Sequence, residues 1–348
     1  MRQLLLPSSL SYGAGPNIAY LASANLSCQT VHRRDSDVFL DPLRSDAYPI
    51  ELELRAIGNR VGEVVSGYDD MHRPIAGSDD RVCAVGTGTF GAPTADRRDL
   101  IAAGYKYLVA FQQLGRPGIL EEQVRTEALN SFIREPMTRY NDDFYEIDVN
   151  SKVEMECCCL SWITRVIPEM PTAIPGCDYM GLNVAKQTGH LALFHSRKQQ
   201  HAYDATRAYS PPSVDYCLRD LQYIQIGRLC SFHNPRIRAN PRAFLDGEQS
   251  VRQNYVSSFR RACAESKSEL SRVRLGAIHV YNAASNDAPP VVARRLRRIS
   301  NEIARQGEVL DEGVIMAVQN FLLLVEAWPE LVAASVRLRG LLADSFVE

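Results

Sequence analysis

The twelve residues from Val314 to Val325 restrict the possible folds more than any other stretch. Their only polar side chains are Gln319 and Asn320. A helix that is apolar on every side cannot lie on a water-facing surface, so the core or another subunit must enclose it. The apolar run is also too short to span a bilayer, which predicts no membrane insertion. Flanking segments supply partial cover. Pro290 opens a helix, as proline does at a first helical position, and Val292, Leu296, Ile299 and Ile303 form its inward seam. Leu331–Leu342 reads as a further striped helix, separated from the apolar one by Pro329. Two seams cover about two sides. The reading therefore assigns Val314, Phe321, Leu323 and Leu324 to a contact with a neighbouring copy in a homo-oligomer.

Next to this region lies the strongest charge signal. Residues 228–298 hold thirteen arginines and one lysine, Lys267, against five acidic residues. Arginine stays ionised, and its planar fork fits phosphate or carboxylate two bonds at a time. On a helix opened by Pro290, Arg294, Arg297, Arg298 and Arg305 point away from the apolar seam. Arg236 and Arg242 end two Asn-Pro-Arg echoes, read as a loop with Arg238 between them, and Arg260 and Arg261 come from a helix after it. These nine arginines are the candidate contacts to nucleic acid, RNA or DNA, or to an acidic partner. The whole chain has a net charge of −2. That total conceals −8 over residues 1–180, +10 over 181–310 and −4 over 311–348. Opposed charge has two uses: the acidic part can neutralise the basic part, within or between copies, or the basic part can face a polyanion.

At 348 residues the chain is long enough for two domains. Residues 1–47 read as an irregular N-terminal arm, 48–170 as a mixed acidic domain, and 171–348 as a helix-rich, arginine-rich domain. The run Leu4–Leu6, stopped by Pro7, is too short for the apolar part of a signal peptide. Nine cysteines without a paired framework read as reduced thiols in a cytoplasmic setting. Tyr48–Ile57 alternates as a half-buried strand would, with Val61–Val65 as its hairpin partner. Arg81–Val85 reads as a short strand. Two helices, 94–114 with Thr94 as cap and 119–134, form an αα-hairpin. Phe144–Val149 is expected to be a strand, and 152–167 fits either a strand or a helix. Helices are expected over Ser213–Leu229 and after Asp246, a strand over Gly276–Tyr281, and a loop over Asn282–Pro289. The fold class is α+β: strands and the αα-hairpin in the N-terminal part, and a helix-rich C-terminal half.

Three motifs bear on chemistry. Tyr68-Asp69-Asp70, with Asp79-Asp80 behind it, is similar to the acidic turn of nucleic-acid polymerases, where paired carboxylates hold divalent ions. The residues after Asp70 do not read as a return strand, so a solvated acidic loop is the better reading. Gly86-Thr-Gly88-Thr-Phe-Gly91 matches the dinucleotide fingerprint and follows a strand, but Pro93 falls where its helix should run. Cys177, His190 and His195 have the spacing of the back half of a zinc finger, without the front cysteine. No catalytic motif is complete, and no cofactor is expected. The function expected from sequence is a non-enzymatic assembly protein of the viral capsid or nucleocapsid type, located in the cytoplasm or a virion. The alternatives are a stand-alone nucleic-acid-binding protein and a nucleotide-dependent enzyme using Gly86–Gly91.

Overall fold

A computed structural model describes residues 5, 13–35, 38–40, 48–65, 81–91, 96–125, 145–147, 159–163, 191–201, 213–240 and 253–338. The protein is α+β, with a small mixed sheet and a helix-rich C-terminal half. Five strands form the main sheet in the order β1-β6-β3-β7-β5: β1 Thr30–His32, β6 Leu160–Ile163, β3 Val82–Gly86, β7 Leu191–His195 and β5 Tyr145–Ile147. Both β1 and β3 run antiparallel to β6, and β3 runs parallel to β7. Hence β1, β3 and β7 point the same way. After a short break each resumes in a second, three-stranded sheet of order β2-β8-β4: β2 Val38–Phe39, β8 Gln199–His201 and β4 Thr89–Gly91. The Gly86–Gly91 segment is thus a strand-to-strand crossing, not a turn into a helix.

Both faces of the main sheet are covered. Cys83, Ala84, Leu160, Trp162, Ala192 and Phe194 share one core with α1 (Ala14–Asn25), α6 (Val214–Ala239), α7 (Gln253–Glu265) and α10 (Glu308–Arg337). Val82, Val85 and Leu193 pack on the opposite face against α2 (Pro49–Ala56) and α3 (Val61–Val64). Alternation along β6 and β7 therefore sends Ser161 and Leu193 towards α2 while their neighbours face the large helices. A second helical core joins α4 (Arg98–Ala103) and α5 (Tyr105–Gly115) to α6, α8 (Lys267–Asp287) and α9 (Pro290–Gln306).

Several local expectations need correction. The alternating stretch at 48–57 is helix α2, and its expected hairpin partner is helix α3. On α2 the buried residues are Pro49, Leu52, Glu53 and Ala56, a helical spacing, whereas Ile50 and Leu54 are exposed. The N-terminal arm contains helix α1. The first hairpin helix is split into α4 and α5 at Gly104, whose φ of +137° suits glycine. Of the second hairpin helix, expected over 119–134, residues 119–125 are described and 121–125 are helical. Asn234-Pro235-Arg236 lies inside α6, not in a loop, and Pro329 lies inside α10. The strand and loop expected over 276–289 are the second half of α8 and its C-terminus. In each helix the buried positions stay in phase through the suspect residues: Val273, Ala277, Tyr281 and Ala284 in α8, and Leu324, Trp328 and Val332 in α10. Tertiary burial of that stripe outweighs the local signal, including the roughly 3 kcal/mol a mid-helix proline costs.

Strands β1, β3, β5 and β6 lie before residue 170 and β7 after it, yet all five form one sheet. At the far ends of the chain, Asn25 Nδ2 donates to Ser335 O at 2.7 Å and Ser335 Oγ donates to Leu21 O at 2.6 Å.

Candidate functional site

Glu53 sits on the buried side of α2, with no exposed surface, against the face of the sheet that carries His32, Ser161 and His195. His32 and Ser161 are register partners across β1 and β6, and Val85 of β3 is the next partner of Ser161. His195 ends β7. The Ser161 hydroxyl donates to Glu53 Oε2 at 2.6 Å, and His32 Nδ1 lies 3.0 Å from the same oxygen and 2.6 Å from Ser161 Oγ. Arg34 Nη2 donates to Glu53 Oε1 at 2.5 Å, and His195 Nε2 approaches that oxygen at 3.4 Å.

The protonation states follow from these partners. Burial raises the Glu53 pKa, but the hydrogen bonds from His195 and His32 and the charge of Arg34 outweigh it, leaving the carboxyl well below its ordinary range. Glu53 is therefore an ionised carboxylate taken wholly out of water. The Arg197 backbone N–H donates to His195 Nδ1 at 3.3 Å, so the His195 proton sits on Nε2 and faces Glu53. Burial lowers the His195 pKa, with the hydrogen bond to Glu53 opposing it, so this ring is neutral at pH 7. For His32 the carboxylate and Ser161 both claim Nδ1, while Nε2 lies 3.2 Å from Thr30 Oγ1.

This arrangement excludes one chemistry and permits another. Ser161 is not a serine nucleophile: it is fully buried, and its proton goes to the carboxylate, not to the imidazole. A carboxylate that fixes one ring nitrogen of a half-buried histidine leaves the other, here beside Thr30 Oγ1, as the nitrogen that can exchange a proton with a ligand. In the cluster the side chains of His32 and Arg34 retain exposure, at 16% and 28%.

Beyond the cluster, the carboxyl ends of β1, β3 and β7 continue as Arg33-Arg34, Thr87-Gly88 and Ser196-Arg197-Lys198. Thr87 Oγ1 donates to His195 O at 2.9 Å, and Arg197 Nη1 donates to Tyr48 O at 2.9 Å. Arg197, Lys198 and His201 are buried here despite their ionisable heads. In open α/β sheets, ligands bind outside the carboxyl ends of parallel strands.

The residues singled out from sequence are distributed differently. Arg236 pairs with Glu265, Arg260 with Glu326 and Arg305 with Glu302, so acidic residues of the same chain take up these three. Arg297 donates to Ser285 Oγ. Arg298 is exposed within electrostatic reach of Glu302, and Arg261 and Arg294 are exposed with no ion pair among the described residues. Arg242 and the Arg238 side chain lie outside what the structure describes. Val314, Phe321 and Leu324 are buried within the chain's own core, whereas Leu323 is 46% exposed. Cys177, His190, Asp69, Asp70, Asp79, Asp80 and Thr94 lie outside the described residues. Among the described residues no group of three or more His, Cys, Asp or Glu is placed to hold a metal ion, and no helix is long and apolar enough to cross a membrane.

Sequence reasoning passed over Glu53, His32, Arg34 and Ser161. A signal was present at α2: Pro49 at a first helical position, Glu51 in the first turn and Arg55 in the last. Read as a helix, that stretch puts Glu53 on the Leu52–Ala56 face, and a buried carboxylate demands partners.

Fold and site together define an α+β protein with a polar cluster beside the carboxyl ends of three like-directed strands. The chain belongs to a family of unknown function (DUF6271), whose model matches residues 1–342. No curated protein and no solved structure matches it.

Proposed function

We propose that this protein is a small-molecule-binding enzyme whose site lies at the junction of its two sheets, with His32 exchanging a proton with the ligand and Glu53 positioning His32. The observation that carries the reading is the fully buried, ionised Glu53, gripped by two histidines, an arginine and a serine. A cluster of this kind is expensive as mere scaffolding, because packed apolar residues of similar volume hold a fold at least as well. Its placement at the strands' carboxyl ends supports the same reading. No disulfide joins the cysteines among the described residues, in keeping with a cytoplasmic setting. The test is a titration of small polar metabolites into full-length protein, followed by the imidazole resonances of isotope-labelled histidine. A ligand should move the His32 signal and raise the melting temperature, and His32→Asn should fold yet bind at least tenfold more weakly, a loss of about 1.4 kcal/mol. Retention of wild-type affinity in His32→Asn would sink the proposal.

A second reading keeps the assembly expectation, as a capsid-type or other homo-oligomeric subunit with RNA or DNA as partner. It is supported by the exposed Arg261, Arg294 and Arg298 and by the line Val309, Met316 and Leu323 on the outer side of α10. Light scattering after size exclusion, with and without nucleic acid, tests it. A monomer at high concentration whose affinity for nucleic acid is unchanged on replacing Arg294, Arg297 and Arg298 by glutamine would exclude it.

A further inference from the structure

We infer that the ligand carries an oxyanion, a phosphate or carboxylate group, and that Gln199 donates a hydrogen bond to it; this rests on reading the sheet junction as a ligand site. Gln199 opens β8 beside the Gly86–Gly91 crossing, with Thr89 as its register partner. Its backbone N–H donates to Gly88 O at 3.2 Å. The residue is 2% exposed, yet its side-chain Nε2 has no hydrogen-bond partner among the described residues. A buried donor left unmade costs as much as a hydrogen bond would give, and folded proteins rarely tolerate one without a use for it.

The other such atoms among the described residues have plainer settings. Trp162 Nε1 and Trp328 Nε1 belong to indoles in the main apolar core. Gln225 already spends its Nε2 on Leu270 O and Asp311, leaving only its carbonyl oxygen. Gln199 is the one whose free atom is an amide donor at the junction of the two sheets.

Cationic residues lie close to it along the chain. Lys198 precedes it in the turn from Ser196, and His201 shares its buried face of β8. Arg33 and Arg34 leave β1 towards the same junction, where Arg33 pairs with Asp35 and Arg34 with Glu53. A group that only accepts hydrogen bonds and carries negative charge suits a buried amide donor among cationic residues.

The experiment is calorimetric titration of the full-length protein with inorganic phosphate, pyrophosphate and malonate, on wild type, Gln199→Leu and Gln199→Glu. At least one anion should bind wild type, and its identity separates phosphate from carboxylate recognition. Both variants should bind that anion at least tenfold more weakly. Unliganded Gln199→Leu should melt about 2 °C higher than wild type, because the unmet donor has been removed. Failure of all three anions to bind wild type, unchanged affinity in either variant, or a lower melting point for Gln199→Leu would overturn the inference. A neutral ligand that still shifts the His32 ring signal, in a protein that ignores all three anions, would remove the oxyanion and leave the site itself standing.

Discussion

A carboxylate withdrawn from water survives only when donors replace its hydration, and Glu53 has His32, Arg34, Ser161 and His195 in that role. Truncating Glu53 to alanine strands several buried donors and should cost about 3–5 kcal/mol, read by denaturant unfolding. The same cluster sets an acid limit. Glu53 has a depressed pKa, so its stabilisation is present above its ordinary value of 4.5 and is lost as pH falls below that. His195 and His233 are also depressed, His233 to about 4 by burial and by Arg236, from an ordinary 6.5. The unfolded chain therefore takes up their protons first, and stability declines as pH falls below 6.5. Each proton contributes at most about 1.4 kcal/mol per pH unit. Melting temperature should be flat near pH 7 and fall through pH 6 and 5. His195→Gln should flatten the upper part of that fall, and a slope unchanged in this variant would refute the assignment. Glu53, His32, Ser161 and His195 were not visible as a cluster in the sequence. They come from β1, α2, β6 and β7, and only the strand register brings His32, Ser161 and His195 under one helix.

At the scale of elements, helix α6 is where local and tertiary demands collide. It runs from Val214 to Ala239 through Pro235, and its buried Leu221, Ile224, Leu229 and Ile237 serve two cores. The sequence announces its start well: Ser213 accepts from the Tyr216 N–H as an N-cap. Its continuation past Pro235 was illegible, because the gain from burying Ile237 depends on the sheet and α7, which lie elsewhere in the chain. The same holds for α10, whose Trp328 and Val332 keep the buried stripe running past Pro329. By contrast, Pro290 and the α9 seam were legible, because the signal is local: Leu296, Ile299 and Ile303 are buried as the spacing requires. Close approach of α5 and α6 adds a testable constraint. A Cβ on Gly115 would lie 2.7 Å from the Ile224 carbonyl oxygen, a backbone atom that cannot step aside. Gly115→Ala should therefore destabilise by about 2 kcal/mol despite alanine's better helix propensity. On Gly276 the nearest atom is a methyl of Leu114, a side chain free to rotate. Gly276→Ala should cost much less, and equal losses in the two variants would contradict this account of the crossing.

Across the whole molecule, part of the charge carried by the arginine-rich stretch is taken up within one chain by ion pairs among the described residues. Arg97 of the acidic half grips Asp220 of α6 with two bonds, and Arg295 of α9 does the same with Asp99. Arg274 meets Asp311, and Arg228 meets Glu269. Both long-range clasps tie α4 and the segment before it to the C-terminal helices. The second helical core buries Leu100, Leu108 and Phe111 from the first half against Leu221, Leu296 and Ile303 from the second. The main sheet likewise needs β7 between β3 and β5. A division at residue 170 would thus cut both sheets and both helical cores, leaving a 171–348 fragment with both apolar faces of its helices in water. Such a fragment cannot recover the burial that offsets its ordering entropy. The full chain is expected to unfold in a single calorimetric transition, and the fragment alone to lack the dispersed amide spectrum of a packed protein. Two separated transitions in the full chain, or a well-dispersed spectrum from 171–348, would show instead that the arginine-rich half is an independent domain, with the clasps at Asp99 and Asp220 contributing little to its stability.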